Sequence, residues 1–192
     1  EGWQGMLQAN FAKLDVNVAV FGVFGKMEKE DGSEYKYMMV DAVAEFPGIP
    51  LGAIKLKGIA GGFYCNMHRD TAANIEFKPP GGKPALGQSL SGVIYKPNDI
   101  YSFGFKIGVI LTAPKEEVFN GNANFEMTFY DGGGISDIYF FGNARFLTPI
   151  NKGASLAYTK GAPPPGSAQI AANLELHWTP GNFTGELEVY MN

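Results

Sequence analysis

The chain has 192 residues, of which 45 % are apolar and 18 % charged, and its formal net charge is −4. That length and apolar content provide for one sizeable core and exclude compositional disorder. No stretch concentrates Lys and Arg, so the basic footprint that nucleic acid or an anionic membrane surface requires is missing.

Glycine (26) and proline (12) are abundant without a triplet period, which suits a turn-rich chain with little helix. The single cysteine, Cys65, excludes an internal disulfide and a zinc site built on several thiolates. There is no run of 18 apolar residues, so no helix is expected to span a membrane, and no membrane insertion is expected. The opening Glu1-Gly2-Trp3 reads as a processed protein or a segment excised from a longer one.

Period-two alternation dominates from the start. Leu14, Val16, Val18 and Val20 share one face. Turn chemistry at Asp31-Gly32 then separates 21–28 from 35–43. Phe103, Phe105, Ile107, Val109 and Leu111 alternate with Gly104, Lys106 and Gly108. Phe125, Met127 and Phe129 alternate with Glu126 and Thr128, and Asp131-Gly132-Gly133-Gly134 marks the next turn. Leu174, Leu176 and Trp178 alternate with Asn173, Glu175 and His177. After Thr179-Pro180-Gly181-Asn182, the residues Leu187, Val189 and Met191 alternate with Glu186, Glu188 and Tyr190. Each stretch reads as a strand with one face in a core and one in water. Phe105, Ile107, Val109, Phe125, Met127, Phe129, Leu174, Leu176 and Trp178 are the expected core. The fold class is therefore all-β, a single domain over 1–192 built as an antiparallel β-sandwich or sandwich-like barrel. At most two short helices are expected, over 70–76 after a capping Asp70 and over 112–117 after a capping Thr112. The stretches 78–84 and 161–166 read as Pro-rich loops. Two hairpins, near 121–146 and 170–192, resemble one another.

Few clusters suggest chemistry. Gly87-Gln88-Ser89-Leu90-Ser91-Gly92 misses the spacing of a nucleophile elbow, and the polar-loop reading prevails. Cys65, His68 and Asp70 offer a thiol, an imidazole and a carboxylate within six positions, the nearest approach to a metal or Cys–His site. Against it stands a strand end running into a polar turn, and no metal or cofactor is expected. His177 reads as a solvated residue on a strand face. Tyr139, Phe140 and Phe141 are consecutive, so their rings cannot share one face. With Asn143 and Arg145 following, Tyr139 and Phe141 are the candidates for a sugar-stacking platform. A strand buried on both sides is the competing reading. Neither an EF-hand loop nor a P-loop is present.

Two stretches carry a resemblance, Gly48-Ile49-Pro50-Leu51-Gly52-Ala53-Ile54-Lys55-Leu56-Lys57-Gly58-Ile59-Ala60-Gly61-Gly62-Phe63-Tyr64-Cys65-Asn66-Met67 and Gly181-Asn182-Phe183-Thr184-Gly185-Glu186-Leu187-Glu188-Val189-Tyr190-Met191-Asn192. Both are similar to segments of very large secreted or cell-surface β-rich proteins of environmental bacteria. The resemblance implies a secreted or surface location and a structural or adhesive role. The expected function is a non-catalytic structural or interaction domain, with neighbouring domains or copies of itself as partners. The alternative is a ligand-binding β-module with carbohydrate as its ligand, and an enzyme comes third.

Overall fold

A computed structural model describes residues 2–70, 87–148 and 168–191. Among these residues eleven strands occur in chain order: β1 (Gly2–Phe11), β2 (Val16–Glu28), β3 (Glu34–Leu51), β4 (Ile54–Cys65), β5 (Met67–Arg69), β6 (Tyr95–Pro97), β7 (Tyr101–Thr112), β8 (Phe119–Tyr130), β9 (Ile135–Phe146), β10 (Ile170–Thr179) and β11 (Asn182–Met191). Nine of them form one antiparallel sheet in the order β1-β2-β3-β4-β7-β8-β9-β10-β11, in which every neighbour in space is the next sheet strand in sequence. Strands β5 and β6 pair separately, inside the excursion between β4 and β7. The fold is thus all-β, antiparallel and sandwich-like, with one large layer and one small one.

Three of the hairpin turns fall where their chemistry predicts. Gly32, after Asp31, takes φ +81°, a conformation that costs an L side chain but not glycine, and it closes the β2–β3 hairpin. Gly133 and Gly134 (φ +91° and +87°) close β8–β9, and Gly181 (φ +84°) closes β10–β11. Neither expected helix is present among the described residues. Residues 112–117 finish β7 and enter a turn, because Ala113 N–H bonds to the Phe119 carbonyl across the hairpin. Of 70–76 only Asp70 is described, and the two Pro-rich loops lie outside the described residues.

The expected core is corrected. The residues Phe105, Val109, Phe125, Met127, Phe129, Leu174, Leu176 and Trp178 are only half-buried, and Ile107 is 57 % exposed. The buried face is the other one. It carries Phe21, Val23, Met39, Tyr64, Tyr139 and Phe141, with Asp41, Lys106, Glu126 and Thr128 among them. Alternation shows which residues share a face, but not which face another layer covers. Here the small layer covers the face rich in polar residues. Met67, Val93 and Tyr95 pack there against Phe21, Val23, Met39, Tyr64 and Phe141.

Candidate functional site

The described part of the excursion between β4 and β7, residues 66–70 and 87–97, folds back over the sheet and is fastened by polar side chains. Their positions follow from register. Asp41, Gly62, Lys106, Glu126, Tyr139 and His177 are successive cross-strand neighbours on β3, β4, β7, β8, β9 and β10. They form one transverse row across the middle of the sheet. Glycine at 62 leaves room in that row: a Cβ there would stand 2.9 Å from Asp41 Oδ1 and 3.1 Å from Lys106 Cε.

Three carboxylates anchor the excursion. Asp41 Oδ2 accepts the Leu90 backbone N–H at 2.5 Å and Lys106 Nζ at 2.9 Å, and Lys106 also donates to Ser91 Oγ at 3.0 Å. Glu126, fully buried, accepts Tyr64 Oη at 2.8 Å and faces Arg69 Nη1 at 3.4 Å. The Arg69 guanidinium lies over the Tyr139 and Phe141 rings, 4.6 and 4.5 Å from their centres. Asp137 receives Nε2 of His68 at 3.2 Å and Nε2 of His177 at 2.9 Å, one on each oxygen, and Ser136 Oγ donates to it as well. Each imidazole is stacked, His68 on Tyr101 and His177 on Tyr139, with ring centres 4.1 and 3.9 Å apart.

A fourth group lies beside these, toward β11. Asn124 donates to Asn122 (3.1 Å), Asn122 to Asn143 (3.5 Å), Asn143 to Asn173 (2.6 Å) and Asn173 to Glu188 (3.1 Å). This amide chain crosses β8, β9, β10 and β11 on the same face.

The expected site residues are placed differently from their sequence reading. Tyr139, Phe141, Asn143 and Arg145 do share a face, but Tyr139 and Phe141 are 2 % and 1 % exposed beneath Arg69. They offer no open platform; the exposed ring of the three is Phe140. Cys65 is not gathered with His68 and Asp70. It lies in register with Met38 and Phe103 on the opposite face, while Asp70 pairs with Lys96 at 2.7 Å. His177 is half-buried and tied to Asp137. Among the described residues no group of three or more His, Cys, Asp or Glu side chains is arranged to hold a metal ion. Ser136 Oγ donates to the Asp137 carboxylate rather than to an imidazole. Ser89 and Ser91 bond each other at 3.0 Å.

In the small layer, burial pushes the Tyr95 phenol well above its ordinary range, and the negative charge of Glu126 adds to the effect. Its Oη has no hydrogen-bond partner among the described residues.

Asp41, Lys106, Glu126 and Asp137 were not legible as a site. Each occupies the polar phase of an alternating strand, where a solvated residue is the default. The available signal was composition. Beside its charged residues that phase holds Gly104, Gly108, Asn120, Asn122, Asn124, Asn143 and Asn173, more glycine and asparagine than a wet strand face usually carries.

No family model matches the chain, nor does any curated protein or solved structure. The fold and the site define an all-β protein with a clamped polar face and a bare apolar one.

Proposed function

We propose that the nine-stranded sheet is part of the wall of a transmembrane β-barrel, its apolar face against lipid and its clamped polar face toward the lumen. One observation carries the reading: burial is reversed relative to a water-soluble sheet. From β7 to β11 every outward position is apolar. Phe103, Phe105, Ile107, Val109 and Leu111 on β7 are followed by Phe119, Gly121, Ala123, Phe125, Met127 and Phe129 on β8, and the phase persists to Met191. Buried behind them stand ion pairs and amides. In water this arrangement leaves an apolar surface far beyond the few hundred Å² usual for a soluble monomer. In a bilayer it is the expected alternation of apolar-out and polar-in.

The dimensions agree. One edge of the apolar band is the cross-strand row Trp3, Phe24, Met38, Cys65, Phe103 and Phe129. The other is the row Phe119, Phe146, Ile170 and Met191. From Phe119 to Phe129 the strand rises about 33 Å at about 3.3 Å per residue. At a tilt of about 40° that is about 25 Å along the membrane normal, the height of such a band, and aromatic girdles mark its two edges. Ring pairs lie in both rows, with Phe103–Phe129 centres 6.3 Å apart and Phe119–Phe146 centres 5.3 Å apart. Charge on this face gathers outside the band, at Lys26, Glu28, Glu34 and Lys36 beside the β2–β3 turn.

This reading replaces the expectation of no membrane insertion. Strands of about ten residues cross a bilayer without any helix-length apolar run. It keeps the non-catalytic structural role expected from the sequence and, of the secreted or cell-surface location expected there, the cell surface. Open sheet edges do not occur in hydrocarbon. The edge strands β1 and β11 are first and ninth in the meander and run the same way, so antiparallel closure takes an odd number of further strands.

The test is flotation. Protein refolded from detergent into phosphatidylcholine vesicles is expected to rise with them through a density gradient after a carbonate wash, keeping a β-type circular dichroism spectrum. A monomer that stays soluble without detergent and leaves the vesicles behind refutes the proposal. Detergent-free assembly through the apolar faces favours the structural building block expected from the sequence.

A further inference from the structure

The transverse row places one lysine in direct contact with one aspartate. Lys106 Nζ lies 2.9 Å from Asp41 Oδ2, and the two side chains are 7 % and 1 % exposed. They come from β7 and β3, with β4 between them. They meet over Gly62, where a Cβ would crowd both. Among the described residues the other lysine–carboxylate pairs, Lys26–Glu34, Lys29–Asp99, Lys57–Glu116 and Lys96–Asp70, are open to water on at least one side.

The two oxygens of Asp41 are held differently. Oδ2 accepts both the Leu90 N–H and Lys106 Nζ, whereas Oδ1 is buried with no hydrogen-bond partner among the described residues. A buried carboxylate that stays ionised needs donors on its remaining lone pairs, so this pair is incompletely compensated as an ion pair. The amine is fixed in turn. It donates to Ser91 Oγ at 3.0 Å and lies 5.6 Å from the centre of the Tyr95 ring. A held amine beside a carboxyl group in a water-excluded site has the proximity that makes an intramolecular reaction fast.

We propose that Lys106 and Asp41 condense to an amide, an intramolecular isopeptide bond that staples β3 to β7. A proton first passes from Nζ to the carboxylate, because neutral groups escape the cost of buried charge. The freed lone pair of Nζ then attacks Cγ, and the Nζ–Cγ bond forms. Oδ2 takes the negative charge of the tetrahedral intermediate under the Leu90 N–H and becomes the amide oxygen. The Cγ–Oδ1 bond breaks, and Oδ1 leaves as water carrying two of the three Nζ protons. Nothing is oxidised or reduced, and no co-reactant is needed. The bond closes a loop across 65 positions. Its chemistry is the same whether the outer face of the sheet meets lipid or another protein.

The test is intact mass spectrometry with peptide mapping, on the chain collected unfolded in urea and again after refolding. The unfolded chain is expected at its sequence mass, and most refolded molecules are expected to be lighter by one water. Proteolysis of the refolded protein should release two peptides joined through Asp41 and Lys106. Lys106→Met and Asp41→Ala should each keep their sequence mass after refolding. Asp41→Asn should lose ammonia in place of water, since the same attack then expels the amide nitrogen. Refolded parent at its full sequence mass overturns the proposal. A water loss that persists in both Lys106→Met and Asp41→Ala also overturns it, because the loss then lies elsewhere. If neither variant refolds, the parent decides alone: the joined peptide supports the bond, and its absence overturns it. Failure to float with vesicles refutes the transmembrane reading and leaves this bond standing.

Discussion

Replacing Arg69 by Met puts the clamp at Glu126 under the most direct strain. The residues are 5 % and 0 % exposed, and their charged atoms lie 3.4 Å apart. Removing one partner of a buried pair leaves the other charge uncompensated, which typically costs about 3–5 kcal/mol. Glu126 would keep one donor, Tyr64 Oη at 2.8 Å, which moves the expectation toward the lower end. Loss of the guanidinium from the Tyr139 and Phe141 faces adds about 1 kcal/mol or more at a desolvated site. Arg69→Met should therefore destabilise by about 3–4 kcal/mol. Glu126→Gln alone leaves Arg69 buried without the carboxylate closest to it, Glu175 remaining as a more distant charge, and should cost a similar or somewhat smaller amount. The double variant restores charge balance and should cost much less than the sum of the two, with a coupling of about 2–3 kcal/mol. The assay is urea unfolding in detergent micelles, followed by tryptophan fluorescence and by heat-modifiable gel migration. Two single variants that each cost under about 1 kcal/mol, or that add without coupling, would refute a buried, mutually dependent clamp.

Ile107→Arg, in the middle of the apolar band, should cost about 2–4 kcal/mol in bilayer folding measurements, while the same change at Lys36, beside the β2–β3 turn, should be near neutral; equal costs would contradict the lipid-facing assignment. Gly104→Ala would drive a Cβ into the Tyr64 ring and should cost about 1–3 kcal/mol. Gly61→Ala, whose nearest neighbour would be 3.9 Å away, serves as the tolerated control in the same urea series. The folded state holds Tyr95 neutral by raising its pKa above that of the unfolded chain. Its contribution is thus complete below about pH 10 and is lost as pH rises through the folded value. An alkaline unfolding titration followed by phenolate absorbance should lose part of its slope in Tyr95→Phe. Because the Tyr95 hydroxyl has no partner among the described residues, that variant should be neutral or slightly stabilising at pH 7.

Much of the architecture was present in the order of residues alone. Alternation in 103–111, 125–129, 174–178 and 187–191 marked β7, β8, β10 and β11. The Asp-Gly and Pro-Gly pairs marked three of the hairpins of the meander, because both signals are local: a two-residue period and a backbone requirement for positive φ. Which face is covered is not a local property. Phe105 and Lys106 alternate in either case, and the seating of residues 66–70 and 87–97 on one face is what buries Lys106 and leaves Phe105 toward the outside. The same holds for the clamps. Arg69 and Glu126 lie 57 positions apart, and His68 and Asp137 lie 69 apart, so nothing in either neighbourhood announces its partner. Tyr139 and Phe141 were legible as a pair on one face, but the guanidinium that covers them comes from another strand. Tertiary structure alone decided that polar atoms go inside, since burying a carboxylate is tolerable only where folding delivers its counter-charge and donors from distant strands.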